Sequence, residues 1–199
     1  TLGWALEGAA LLGLFHRVPH PGLRVVGAVL LVTAFARFAL NPAVFAYHAR
    51  SSTPIFNWYL YSYGLVTACL FVGASLVKPP RDRLPGGING PALFNTLGTI
   101  LAFFLLNIEI ADFFSEPGQR VLTFKFSGHF GRDMTYTIAW ALFALGLLLV
   151  SIWQQARAGR YAALALLSVA LLTSGKPLLD PGVRHVPRFV HQVSAQFAR

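Results

Sequence analysis

Apolar runs alternate with short polar linkers along the chain, and this alternation predicts its fold. The six runs cover residues 2–15, 23–40, 55–77, 92–114, 134–153 and 161–172. A membrane-spanning helix needs about 20 mostly apolar residues, so the four middle runs are long enough to span a bilayer and the two outer runs are short. The pattern predicts an all-α, polytopic transmembrane helical bundle with about five or six membrane helices.

The linkers carry residues that end helices. Asn41-Pro42 follows the second run, and residues 84–91 form a loop rich in Gly and Pro. In residues 121–126 apolar and polar side chains alternate, which is typical of a short hairpin or an interfacial segment. Because the chain enters its first run at once, from Thr1, we expect it to be a fragment that begins inside a helix.

The composition excludes an ordinary water-soluble domain. Of the 199 residues, 55% are hydrophobic and 12% are charged, against about 45–50% and about 25% in soluble domains. The net charge is +9, but the basic residues are spread through the linkers and form no stripe, so we predict no nucleic-acid partner. A lone cysteine, Cys69, allows no intrachain disulfide.

The basic residues also predict an orientation in the membrane, because cytoplasmic linkers collect Lys and Arg. The side that we assign to the cytoplasm holds Arg17, Arg24, Lys78, Arg81, Arg83, Arg157 and Arg160. The other side, with longer linkers, holds Arg37, Arg50, Arg120, Lys125 and Arg132. This orientation places the far half of the fourth run towards the outside.

Two carboxylates in that far half form the main candidate polar site. Glu109 and Asp112 are spaced i, i+3 on one helix face, and Asn107 adds a nearby amide. Such a pair can share a proton, receive a cation or act as an acid and a base. The structural alternative is that both lie near headgroup depth and pair with Arg120 or Arg132.

Further candidates lie in the first run and in the linker before the fifth run. Glu7 is either an interhelical partner of Arg37 or of a polar residue such as Asn95, or part of a polar cavity. In the linker, three residues either contact an anionic headgroup or polymer or belong to an ordinary solvated loop: His129, Arg132 and Asp133. No metal or cofactor is predicted, because the chain contains no phosphate-binding glycine loop, nucleophile elbow or cysteine cluster.

Four stretches resemble a known family of membrane proteins. They are residues 106–115 (LNIEIADFFS), 133–144 (DMTYTIAWALFA), 160–167 (RYAALALL) and 4–12 (WALEGAALL). Together they resemble the C-terminal part of the bacterial membrane proteins called domain-of-unknown-function family 2339. The resemblance covers most of residues 1–172. It implies a multi-pass protein of the bacterial inner membrane and a longer parent chain, and it implies no activity or substrate.

The resemblance ends where the character of the chain changes. After Leu172 the family continues with apolar residues and a Tyr-Arg-Val segment, whereas this chain turns to a basic stretch over residues 173–199. That stretch is either a basic interfacial tail or the non-native product of a reading-frame slip near residues 173–176. We therefore divide the chain into a transmembrane region, residues 1–172, and a tail, residues 173–199.

These observations lead to one functional hypothesis and two alternatives. The leading hypothesis is an integral inner-membrane protein that handles or transports an envelope solute or lipid. The alternatives are a membrane-embedded envelope enzyme of the lipid-linked sugar transferase type and a structural scaffold whose buried charges specify helix pairing. The expected partners are the lipid bilayer and the rest of a longer parent chain, and no oligomeric state is predicted.

Overall fold

A computed structural model describes residues 1–46, 55–115, 122, 124 and 130–179. The described residues form six α-helices and no β-strand: α1 Leu2–Arg17, α2 Pro21–Ala39, α3 Trp58–Leu76, α4 Gly90–Phe113, α5 Phe130–Trp153 and α6 Arg157–Leu179. Two short 3₁₀ turns lie in the linkers, at Pro42–Ala46 and Pro85–Gly87. The prediction of an all-α helical membrane bundle is confirmed.

Four of the described helices are long and apolar enough to cross a membrane, namely α2, α3, α4 and α5. The first helix has 16 residues and is about 24 Å long at 1.5 Å per residue. The candidate spans leave large apolar side chains exposed, such as Leu142 and Leu149 on α5. Lipid tails solvate such side chains, so their exposure is typical of a helix surface within a bilayer.

The largest differences from the predicted boundaries occur in α5 and α6. The fifth helix begins at Phe130, four residues before the predicted start at Met134. The sixth helix continues to Leu179, so the expectation that it stops at Leu172 is wrong. Hydropathy changes at Leu172, but a helical backbone depends on dihedral angles and hydrogen bonds and can continue through less apolar residues. The strand-like segment, residues 121–126, lies outside the described residues except for Leu122 and Phe124.

Side-chain caps explain where three of the helices begin. The side chain of His20 accepts a hydrogen bond from the backbone N–H of Gly22 at the start of α2. Asn57 caps α3 in the same way, and Asn89 caps α4 through the N–H of Ala92. Each cap satisfies a backbone donor that has no partner within the helix.

The chain divides into two compact units, Thr1–Arg132 and Asp133–Arg199. In the first unit α1 packs against α2 and α3, and α3 packs against α4. The hydroxyl of Tyr63 on α3 donates a hydrogen bond of 3.1 Å to the backbone carbonyl of Phe38 on α2. The second unit contains most of α5 and all of α6.

Neighbouring helices α3 and α4 run antiparallel, which brings the start of α3 beside the end of α4. A short linker joins the end of α3 to the start of α4. Gly98 in the first half of α4 lies against the ring of Phe71, which is in the second half of α3. Near the other end, Asn57 before α3 contacts the last turns of α4.

Candidate functional site

A cluster of three polar side chains lies where α3 begins and α4 ends. Glu109 and Asp112 occupy the last turns of α4, and Asn57 is the residue that precedes α3. The spacing of three residues places both carboxylates on one side of α4, as the sequence predicts, and in the structure this side faces Asn57 at the start of α3. We call these three residues the carboxylate site.

The amide of Asn57 holds both carboxylates. Its nitrogen Nδ2 donates one hydrogen bond of 3.1 Å to Oε2 of Glu109 and another of 3.1 Å to Oδ2 of Asp112. Its oxygen Oδ1 accepts the backbone N–H of Leu60 at 2.9 Å. Both N–H groups of the amide therefore donate to carboxylates. Because carboxylates only accept hydrogen bonds, the nitrogen of the amide must face α4 and its oxygen must face Leu60.

The three side chains of the carboxylate site differ in how deeply they are buried. The side chains of Asn57 and Asp112 are almost fully buried, with 3% and 4% exposed. Glu109 is half-buried, and its second oxygen, Oε1, is a buried atom with no hydrogen-bond partner. Within the described residues Glu109 is bound by the neutral Asn57 amide and forms no ion pair. A buried acceptor without a partner is costly, by about 1–3 kcal/mol and more if it is charged.

Aromatic side chains surround this end of the first unit. The ring of Phe45 lies within 6.5 Å of the rings of Tyr59 and Tyr63, measured between centroids. Phe38 lies 4.8 Å from Tyr63 and 6.3 Å from Trp58. Trp58 and Tyr59 directly follow Asn57, so the carboxylate site lies beside this aromatic cluster, at one end of the candidate spans α3 and α4.

The other candidate residues do not join the carboxylate site. Asn107 lies two residues from Glu109, on a different side of α4, and its amide donates to the backbone carbonyl of Phe103. Glu7 lies on the exposed side of α1, and it forms neither an ion pair with Arg37 nor a hydrogen bond with Asn95. The structure therefore contains no pairing of Glu7 with either of these two described residues, and a place for Glu7 in a polar cavity stays a prediction.

The linker candidates are described only in part. Arg132 is buried in the first turn of α5, and the backbone carbonyl of Asp133 accepts a hydrogen bond from the hydroxyl of Thr137. His129 and Arg120 lie outside the described residues. A contact of this linker with a headgroup or polymer stays a prediction.

Asn57 is the member of the carboxylate site that the sequence analysis does not identify. An Asn directly before an apolar run is a recognisable helix cap, and that signal is present here. Its second role depends on partners 52 and 55 residues away along the chain. No local pattern reports such a distant pairing.

Four apolar candidate spans among the described residues make this a multi-pass helical membrane protein, and its carboxylate pair lies in the last turns of the span α4. The chain belongs to the family of predicted membrane proteins DUF2339, whose model matches residues 1–172. No curated protein and no solved structure matches the chain.

Proposed function

We propose that this protein handles an envelope solute or lipid at the carboxylate site, as a multi-pass protein of the bacterial inner membrane. The observation that carries the proposal is the state of Glu109: a half-buried carboxylate whose hydrogen-bond partner is a neutral amide and whose second oxygen has none. A group that serves only to pair helices satisfies its oxygens. The free oxygen suits a substrate that brings a hydrogen-bond donor or a positive charge.

The depth of the site supports an envelope enzyme as the second candidate. Glu109 and Asp112 lie four residues and one residue before the end of α4, which is about 6 Å and 1.5 Å along the helix axis. Carboxylates at that depth can meet the polar headgroup of a lipid-linked substrate, where one acts as an acid and the other as a base.

The test is complementation of a strain that lacks the gene, with the full-length protein and a readout of envelope integrity. The variant Glu109→Gln/Asp112→Asn removes both charges but keeps oxygens that accept from Asn57, so folding is preserved. We expect this variant to reach the membrane at the normal level and to fail in complementation. The matched control is Glu7→Gln, which changes an exposed carboxylate outside the site and should complement fully.

Two results contradict the proposal. Full complementation by the double variant would show that the charges of the site are dispensable. Equal failure of Glu7→Gln would show that the defect does not belong to the site.

A second experiment separates a solute or lipid site from a scaffold. Sealed vesicles are treated with a water-soluble carbodiimide and glycine ethyl ester, and labelled peptides are identified by mass spectrometry. A solute or lipid site requires that Glu109 be labelled from one side.

A further inference from the structure

A cluster of basic residues lies at the end of α1–α4 opposite to the carboxylate site. It consists of Arg17 and Arg24 around the α1–α2 turn and of Lys78, Arg81 and Arg83 in the linker between α3 and α4. We call these five residues the basic face. The same two linkers contain a single acidic residue, Asp82.

The linker between α3 and α4 is folded into a defined shape. The backbone N–H of Leu84 donates to the carbonyl of Ile88 at 2.8 Å, and that of Gly90 donates to the carbonyl of Asp82 at 2.9 Å. The guanidinium of Arg83 donates to the carbonyl of Gly87 at 3.1 Å. Gly87 has a φ of 76°, which favours glycine at this turn. The basic side chains of the linker therefore project from a fixed backbone.

Arg24 joins this linker to the α1–α2 turn. Its guanidinium donates to the backbone carbonyl of Arg81 at 3.2 Å and lies 5.4 Å from the ring centre of Phe15. The end of α1 also approaches the end of α3, since a Cβ atom on Gly13 would lie 3.8 Å from Cδ1 of Leu76. The two basic linkers therefore form one surface.

The charges of this surface are available to a ligand. Arg17, Lys78, Arg81 and Arg83 are exposed, and none of them forms an ion pair with a described residue. They lie where three candidate membrane spans begin or end, which is the depth of lipid phosphates. Unpaired cations at that depth are complementary in charge and position to anionic headgroups.

We propose that the basic face binds the headgroups of anionic phospholipids in the adjoining leaflet. Arg17, Lys78 and Arg81 supply the charges that meet the phosphates, while Arg24 positions the linker. The folded backbone reduces the entropy that binding would otherwise cost, which makes the attraction local to this face and stronger than that of a flexible basic loop.

The test is native mass spectrometry of the full-length protein in dodecyl maltoside, titrated with dioleoylphosphatidylglycerol or with dioleoylphosphatidylcholine. We expect the anionic lipid to bind at least about fivefold more tightly. The variant Lys78→Gln/Arg81→Gln should weaken binding of the anionic lipid by about tenfold or more, since each basic residue near a membrane contributes about a factor of five. It keeps the Arg81 carbonyl that Arg24 binds, and an unchanged unfolding temperature would show that the fold is intact.

The matched control is Arg157→Gln/Arg160→Gln, which removes two charges at the start of α6. It should leave the preference for the anionic lipid unchanged. Equal affinity for the two lipids, or an equal loss in both variants, would overturn the proposal in favour of diffuse charge attraction. Complete competition by millimolar inorganic phosphate would overturn it in favour of a site for free phosphate.

Discussion

Gly8 on α1 and Gly27 on α2 pack backbone against backbone. A Cβ atom on Gly8 would lie 2.9 Å from the carbonyl oxygen of Gly27, and a Cβ atom on Gly27 would lie 2.9 Å from the carbonyl oxygen of Gly8. The contact is therefore reciprocal, and each glycine leaves room for the backbone of the other. Such close approach is how small residues strengthen helix pairs in a membrane, where the hydrophobic effect between helices is absent.

We expect Gly8→Ala to weaken the packing of α1 against α2. The added methyl group meets a backbone oxygen that cannot rotate away, so the helices must separate, at a cost of about 1–3 kcal/mol in the free energy of unfolding. The measurement is unfolding in mixed micelles of lipid and SDS. The control is Gly3→Ala on the same helix, where a Cβ atom would meet nothing within 4 Å. Equal stabilities of the two variants would contradict the close contact.

The two roles of Asn57 can be separated by substitution. Asn57→Asp keeps an oxygen that caps α3 but replaces the N–H donor, so Glu109 and Asp112 lose their shared partner and face a third carboxylate. We expect the free energy of unfolding to fall by about 2 kcal/mol or more. The matched control is Asn89→Asp at the exposed cap of α4, which should be nearly neutral because Asp and Asn cap helices equally well. A neutral Asn57→Asp would refute the bridging role.

Loss of the carboxylate should lower the free energy of unfolding at Glu109 but leave it nearly unchanged at Glu7. Glu7 is exposed and forms no ion pair with a described residue, so Glu7→Gln should change the free energy of unfolding by less than about 0.5 kcal/mol. Glu109→Ala removes an acceptor of the Asn57 amide and should cost about 1–3 kcal/mol. Both are measured by the same micelle unfolding. A large loss for Glu7→Gln would reinstate a pairing with Arg37.

The element order could be predicted because hydropathy and helix-ending residues are local properties. The run at residues 92–114 differs from α4 by two residues at its start and one at its end. The prediction that Asn41-Pro42 ends the second helix is confirmed, since α2 stops at Ala39. The physical reason is that a proline disfavours helical dihedral angles in the residue before it. The sequence also predicts that Glu109 and Asp112 lie on the same side of α4, since their spacing alone places them on one side of a helix.

Local sequence is enough to predict apolar helices of membrane-spanning length and two carboxylates on one face of α4. The partner of those carboxylates depends on how the helices pack, because Asn57 lies 52 and 55 residues away from them along the chain. Packing also leaves Glu7 exposed and brings Gly8 against Gly27. Helix periodicity sets which residues share a face, whereas the rotation of each helix against its neighbours depends on how all the side chains pack together.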